Sequence, residues 1–189
     1  MVKRLSGLLL ALSIVGVAAC QRPWDGASSA TSVVAPRAAQ EAAYRTGSGV
    51  TLLLGEAAEG IETQTIVLSE NGGKLTLGPN SLTIPFKAVD EDVRWTFTLK
   101  SLPYLAADLH AVRVSDGTPI TTFNAPLALR LSYARSPTPI PDPRLLSIYW
   151  VDGGTVLGVQ KTSVDRKGQT VYTTLTHFSE YSPGLDATE

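Results

Sequence analysis

Few side chains in this 189-residue chain have the types and spacing needed for chemistry. The clearest set is His177-Phe178-Ser179, which puts an imidazole two residues before a hydroxyl. Neutral imidazole can take a hydroxyl proton near neutral pH, and a serine so activated attacks a carbonyl. The same tripeptide equally suits a bend in which Phe178 anchors the last strand and His177 and Ser179 hydrogen-bond around it. Asp108 and His110, two apart at a strand start, would share a face, an arrangement that is ordinarily structural. Asp90-Glu91-Asp92 stands just before a strand and reads as a solvated turn, because its spacing matches no calcium loop. With two histidines and one cysteine, a multi-histidine zinc site is not expected, nor is any cofactor. The carboxylates are too scattered to nominate a glycosidase pair.

The single cysteine, Cys20, stands behind a stretch with its own logic. Lys3 and Arg4 give a basic start, Leu5 to Val17 an apolar run, and small residues abut the thiol. That is a signal-peptide layout, too short for a comfortable membrane span. Val17-Ala18-Ala19-Cys20 resembles the bacterial lipobox, in which the cysteine takes a diacylglycerol thioether and the chain is cut before it. The alternative is an ordinary secretory signal with an incidental cysteine. Lipidation implies an anchor in the cell-envelope membrane through Cys20, with palmitate-type acyl chains. Gln21, rather than aspartate, hints at outer-membrane sorting.

One cysteine permits no internal disulfide, so stability must come from burial. The formal charge is −1, and removing Lys3 and Arg4 leaves 14 basic against 17 acidic side chains, or −3. No cluster of Lys and Arg follows the leader, so nucleic acid is not an expected partner. Residues 20–60 are rich in Ala, Ser, Gly and Thr and read as a flexible tether, with a typical span of roughly 35 Å as a coil. Within it, Ala38 to Tyr44 suggests a short helix and Val50 to Leu54 a stray edge strand.

From Ile61 the apolar period is two, which predicts an all-β antiparallel sandwich over residues 61–189 behind a signal peptide at 1–19. Thr65–Leu68, Lys74–Leu77 and Ser81–Ile84 read as strands, the last two flanking Gly78-Pro79-Asn80. Val93, Trp95, Phe97 and Leu99 share one face, and so do Leu127, Leu129, Leu131 and Tyr133. Leu109–Ser115 is a shorter strand, and Ser136–Pro143 a proline-dense loop. Leu145–Val151, Thr155–Thr162 and Gln169–Thr176 predict a meander. Adjacent Tyr149 and Trp150 point to opposite faces, which leaves one exposed.

Three stretches carry a resemblance: Gly72-Gly-Lys-Leu-Thr-Leu77 leading to Leu82-Thr-Ile-Pro85, Thr122-Phe-Asn-Ala-Pro-Leu-Ala-Leu-Arg-Leu-Ser-Tyr133, and Thr176-His-Phe-Ser-Glu-Tyr181. Together they resemble the ZU-type β-sandwich of ankyrins, netrin receptors and zonula-occludens scaffolds, also present in bacterial lipoproteins. After Pro85 the family pattern has a glycine where this chain has Lys87, which suggests a different local turn. The resemblance implies a non-catalytic binding, adhesion or scaffolding module whose partner is an envelope protein or a glycan. In some eukaryotic relatives the tripeptide cleaves itself. Carried over, Ser179 would attack the carbonyl of Phe178 with His177 as local base. An envelope hydrolase is the remaining alternative.

Overall fold

The computed structural model describes residues 44–55, 61–101 and 103–186, all within one unit, Pro36–Glu189. Cys20, the leader and residues 21–43 of the expected tether lie outside the described residues.

Two antiparallel sheets pack face to face as an all-β sandwich. The larger contains β1 (Tyr44–Arg45), β2 (Val50–Leu52), β3 (Ile61–Leu68), β6 (Val93–Lys100), β7 (Ala106–Arg113), β9 (Leu146–Asp152), β10 (Thr155–Gln160) and β13 (Glu180–Asp186). The smaller runs β11 (Ser163–Asp165), β12 (Thr170–His177), β8 (Thr122–Ser132), β5 (Asn80–Ile84), β4 (Gly73–Leu77) in spatial order. The strand that organises the larger sheet is β13. Along one side it pairs with β9 from Glu180 to Leu185. Its other side is shared: Glu180 and Tyr181 pair with β7, and Gly184–Asp186 with β2.

Alternation explains why these segments are strands. Val93, Trp95, Phe97 and Leu99 on β6 are buried between the sheets, as are Leu127, Leu129 and Leu131 on β8. Each such burial contributes roughly 1.5–3 kcal/mol. The opposite face of β6 carries threonines that meet those of β3, Thr98 with Thr63 at 3.1 Å and Thr96 with Thr65 at 3.2 Å. Polar pairs of this kind stabilise a solvated face without burying it.

Several expectations are corrected. The sandwich does not begin at Ile61: β1 and β2 belong to its larger sheet, and Leu52 and Leu53 are fully buried. The apolar run Val50 to Leu54 is long enough to satisfy the free side of β13 beyond the start of β7, so what read as the end of the tether is part of the domain. Tyr44 is in a strand, not a helix. The segments from Leu145 to Thr176 do not form one meander. β9 and β10 are a hairpin of the larger sheet, turned at Gly153-Gly154 with φ of 52° and 85°, the left-handed pair that a two-residue hairpin needs. After Gln160 the chain crosses to the smaller sheet, where β11 pairs with β12.

Tyr149 and Trp150 do face opposite ways, but neither is exposed. The outer face of the larger sheet has its own apolar cluster of Val50, Leu52, Tyr104, Ala106, Tyr149 and Val151, against which Tyr44 and Val156 pack. Lys87 also departs from expectation, since its φ of 57° is the left-handed conformation that glycine favours. Its amide donates to the Glu70 carbonyl at 2.6 Å, which fixes the turn despite the side chain. Gly72, by contrast, has no substitute: its φ is 69° and a Cβ would strike the backbone of Ile84 and Pro85.

Candidate functional site

The tripeptide His177-Phe178-Ser179 is the corner at which the chain leaves the smaller sheet for the larger one. His177 ends β12, opposite Thr122, just after an irregularity in register. Phe178 and Ser179 belong to neither sheet, and Glu180 starts β13. Phe178 holds the corner in the core, edge-on to Phe123 at 4.6 Å and to Trp95 at 5.6 Å between ring centroids. Aromatic pairs of this geometry add about 0.5–1.5 kcal/mol beyond their buried area.

The imidazole is engaged by the corner itself. Tyr181 donates its hydroxyl to the His177 carbonyl at 2.9 Å and sits 3.2 Å from Nδ1, while Nδ1 is 3.3 Å from the Phe178 carbonyl oxygen. With the phenol proton on the His177 carbonyl, Nδ1 serves these two oxygens best as the protonated nitrogen. Trp150 lies against the ring at a tilt, 4.7 Å between centroids and 58° between planes. The Ser179 hydroxyl makes no hydrogen bond among the described residues, and neither Phe178 nor Ser179 has a left-handed backbone. The structure thus brings the three predicted residues into one corner without directing the histidine at the serine.

The strands around the corner form a cleft that sequence reading missed. Because β13 starts only at Glu180, β7 and β9 run on past it with a gap between them, and Phe178-Ser179 enters through that gap. The resulting cleft is about 480 Å³, lined among others by Asp108, His110, Trp150, Leu157, Ser179 and Glu180. Its charged side is a connected set. Lys100 Nζ is 2.9 Å from Asp108 and 2.7 Å from Glu180, and His110 Nε2 is 3.0 Å from the other oxygen of Asp108. Tyr104 donates to the second oxygen of Glu180 at 2.5 Å. Burial pulls the Lys100 ammonium down, but the hydrogen bonds it donates to Glu180 and Asp108, together with the attraction of both negative charges, outweigh it and hold the group above its ordinary range. Burial, then the bond to Glu180, pushes the Tyr104 phenol well above its own.

Asp108 and His110 share a face as the sequence predicts, and they pair. Lys100 and Glu180 could not be found the same way, since the register of β6, β7 and β13 joins positions 80 residues apart. Elsewhere Asp90 accepts from Asn124 Nδ2 at 2.9 Å and Glu91 meets Arg113 at 2.7 Å, both at an exposed turn. No group of three or more His, Cys, Asp or Glu residues suited to a metal ion occurs among the described residues. No helix among them is long and apolar enough to cross a membrane. Compared with models of known families and with curated proteins, the chain matches none.

Proposed function

We propose that this chain is a lipid-anchored protein of the bacterial cell envelope whose β-sandwich is a non-catalytic binding module, held to the membrane by acyl chains on Cys20. One observation carries the binding half of this reading: the cleft at the strand-switch corner is lined by groups already committed to one another. Both oxygens of Asp108 and both of Glu180 have internal partners. Carboxylates so engaged make a fixed polar surface, and a general acid or base has to be free to exchange its proton. The ZU-type resemblance points the same way by analogy of fold. The anchoring half rests on the leader and lipobox alone. Two acyl chains hold a protein stably, since each buried methylene contributes about 0.8 kcal/mol.

Self-cleavage at Phe178-Ser179 is the second reading, and the direction of His177 weighs against it. The test has two arms. The full-length chain and Cys20→Ala are expressed in a bacterium with an alkyne-tagged fatty acid; the parent is expected to take the label and enter the detergent phase, and the variant to do neither. The purified lipoprotein is then incubated with envelope polysaccharide and protein fractions. Retention of a component without chemical change is the expected result. Identical partitioning of parent and variant overturns the anchor, and turnover of any component overturns the non-catalytic module.

A further inference from the structure

We infer that the free edge of β3 is a self-association site, at which two copies of this chain pair antiparallel about Gln64 and join their larger sheets into one. Among the described residues β3 ends that sheet, its backbone paired with β6 alone. A strand with one bare side presents the N–H and C=O groups of alternate residues to any strand that can pair with them, and proteins ordinarily blunt such an edge. The other outer strands are blunted. β1 has two residues and β11 three, the register of β10 breaks between Val156 and Gly158, and on β4 the Thr76 amide already donates to Gln64 Oε1. β3 has none of these devices. It runs for eight residues in unbroken register with β6, without proline, lysine or arginine. It also carries two aliphatic side chains left in solvent, Ile61 at 73% and Val67 at 47% exposure.

The pattern along β3 makes its own copy the partner. About a two-fold axis through Gln64, Thr63 falls opposite Thr65 of the second copy, and Ile61 opposite Val67. These four share the outer face, since they pair with Thr98, Thr96, Lys100 and Arg94 on β6. The new seam therefore repeats the threonine pairs that β3 already makes with β6, and the two exposed aliphatic side chains cover each other. A slip of one residue would set them against Glu62, Gln64 and Ile66, which belong to the opposite face. Charge agrees with this register. Gly73 lies against Leu68 and Thr76 against Gln64, so β4 runs back beside β3 with Lys74 level with Ile66. Ile66 is the residue that Glu62 of the second copy opposes. Each Glu62 thus comes level with a Lys74 across the axis, and neither side chain has an ion-pair partner among the described residues. One seam of eight residues is a small interface, for which a dissociation constant of about 10–100 μM is expected.

The experiment uses the full-length chain with Cys20→Ala, so that no native thiol remains, in mild detergent. Thr63→Cys and Thr65→Cys are made separately in this background and oxidised with copper phenanthroline, each alone and the two mixed. Opposed positions lie about 5 Å apart between Cβ atoms and like positions roughly 7–8 Å apart on the diagonal, so the mixture is expected to form disulfide dimer about tenfold faster than either alone. Sedimentation at about 100 μM is expected to show a dimer. Thr63→Lys with Thr65→Lys opposes like charges at two places across the seam and is expected to leave a monomer. Thr63→Lys with Thr65→Glu opposes unlike charges and is expected to restore the dimer, a rescue that a misfolded chain would not show. A monomer up to about 200 μM, equal linking rates in the mixture and alone, or a double lysine variant that associates as the parent does overturns the inference. A parent that stays monomeric until an envelope extract supplies a different chain, linked through position 63 or 65, overturns it too, and assigns the edge to a foreign strand.

Discussion

Tyr181 is fully buried at the start of β13, and its hydroxyl reaches back four residues to the carbonyl of His177. The aromatic ring fills core space whatever its substituent, so Tyr181→Phe isolates the hydrogen bond and leaves a carbonyl without its donor. The expected loss is about 1–2 kcal/mol, seen as a lower urea midpoint with unchanged slope. The same phenol has a consequence at high pH. Burial raises Tyr181 above its ordinary value of 10.0, as burial and then a carboxylate partner do for Tyr104 with Glu180 and Tyr149 with Asp186. A raised value means that the folded state holds its proton where the unfolded state has lost it. The stabilisation is complete below pH 10 and drains away as pH climbs from there toward the folded values. Denaturation at a series of pH values should therefore give stability without a tyrosine contribution to its slope up to pH 10 and a fall above it. Absorbance near 295 nm should show Tyr104, Tyr149 and Tyr181 ionising only with unfolding.

β2 is three residues long, yet it completes the larger sheet. Leu53, just after it, donates to Pro183 at 2.9 Å and accepts from Leu105 at 2.7 Å, so the chain there ties the end of β13 to the start of β7. A chain beginning at Ile61 should lose these bonds together with Leu52 and Leu53, and expose the free edge of β13. It is expected to give a non-cooperative or absent thermal transition by circular dichroism, beside a sharp one for a chain beginning at Pro36. Replacing Leu53 alone with alanine should cost about 2–5 kcal/mol. The truncation also marks where the sequence was legible. Val93 to Leu99 and Leu127 to Tyr133 announced their strands, because each has one face in the core and one in solvent. Val50 to Leu52 has buried residues at both ends, but β13, the strand that joins it to the rest of the sheet, lies about 130 residues away, and no local pattern marks such a pairing. The cleft was hidden for the same reason. Asp108 and His110 disclosed themselves by spacing, whereas Lys100, Trp150, Leu157 and Glu180 join them only through the register of five strands.

For the molecule as a whole, the corner geometry predicts the covalent state. With His177 engaged by the Phe178 carbonyl and Tyr181, the purified protein should show a single mass under denaturing conditions after days at neutral pH. A fragment ending at Phe178, absent from Ser179→Ala, would mean that another group serves as the base. β13 has one more consequence, and it concerns time. It is the last described strand to leave the ribosome, yet β2, β7 and β9, all made earlier, are joined as strands of one sheet only by pairing with it. A nascent chain that has emerged as far as β12 therefore carries two open sheet edges facing an empty lane, the state most exposed to mispairing with other chains. Folding of the larger sheet must then wait for β13 and proceed in one late event dominated by distant pairings, on the millisecond-to-second scale of such topologies. Whatever keeps the polypeptide out of aggregates has to act until that final strand arrives.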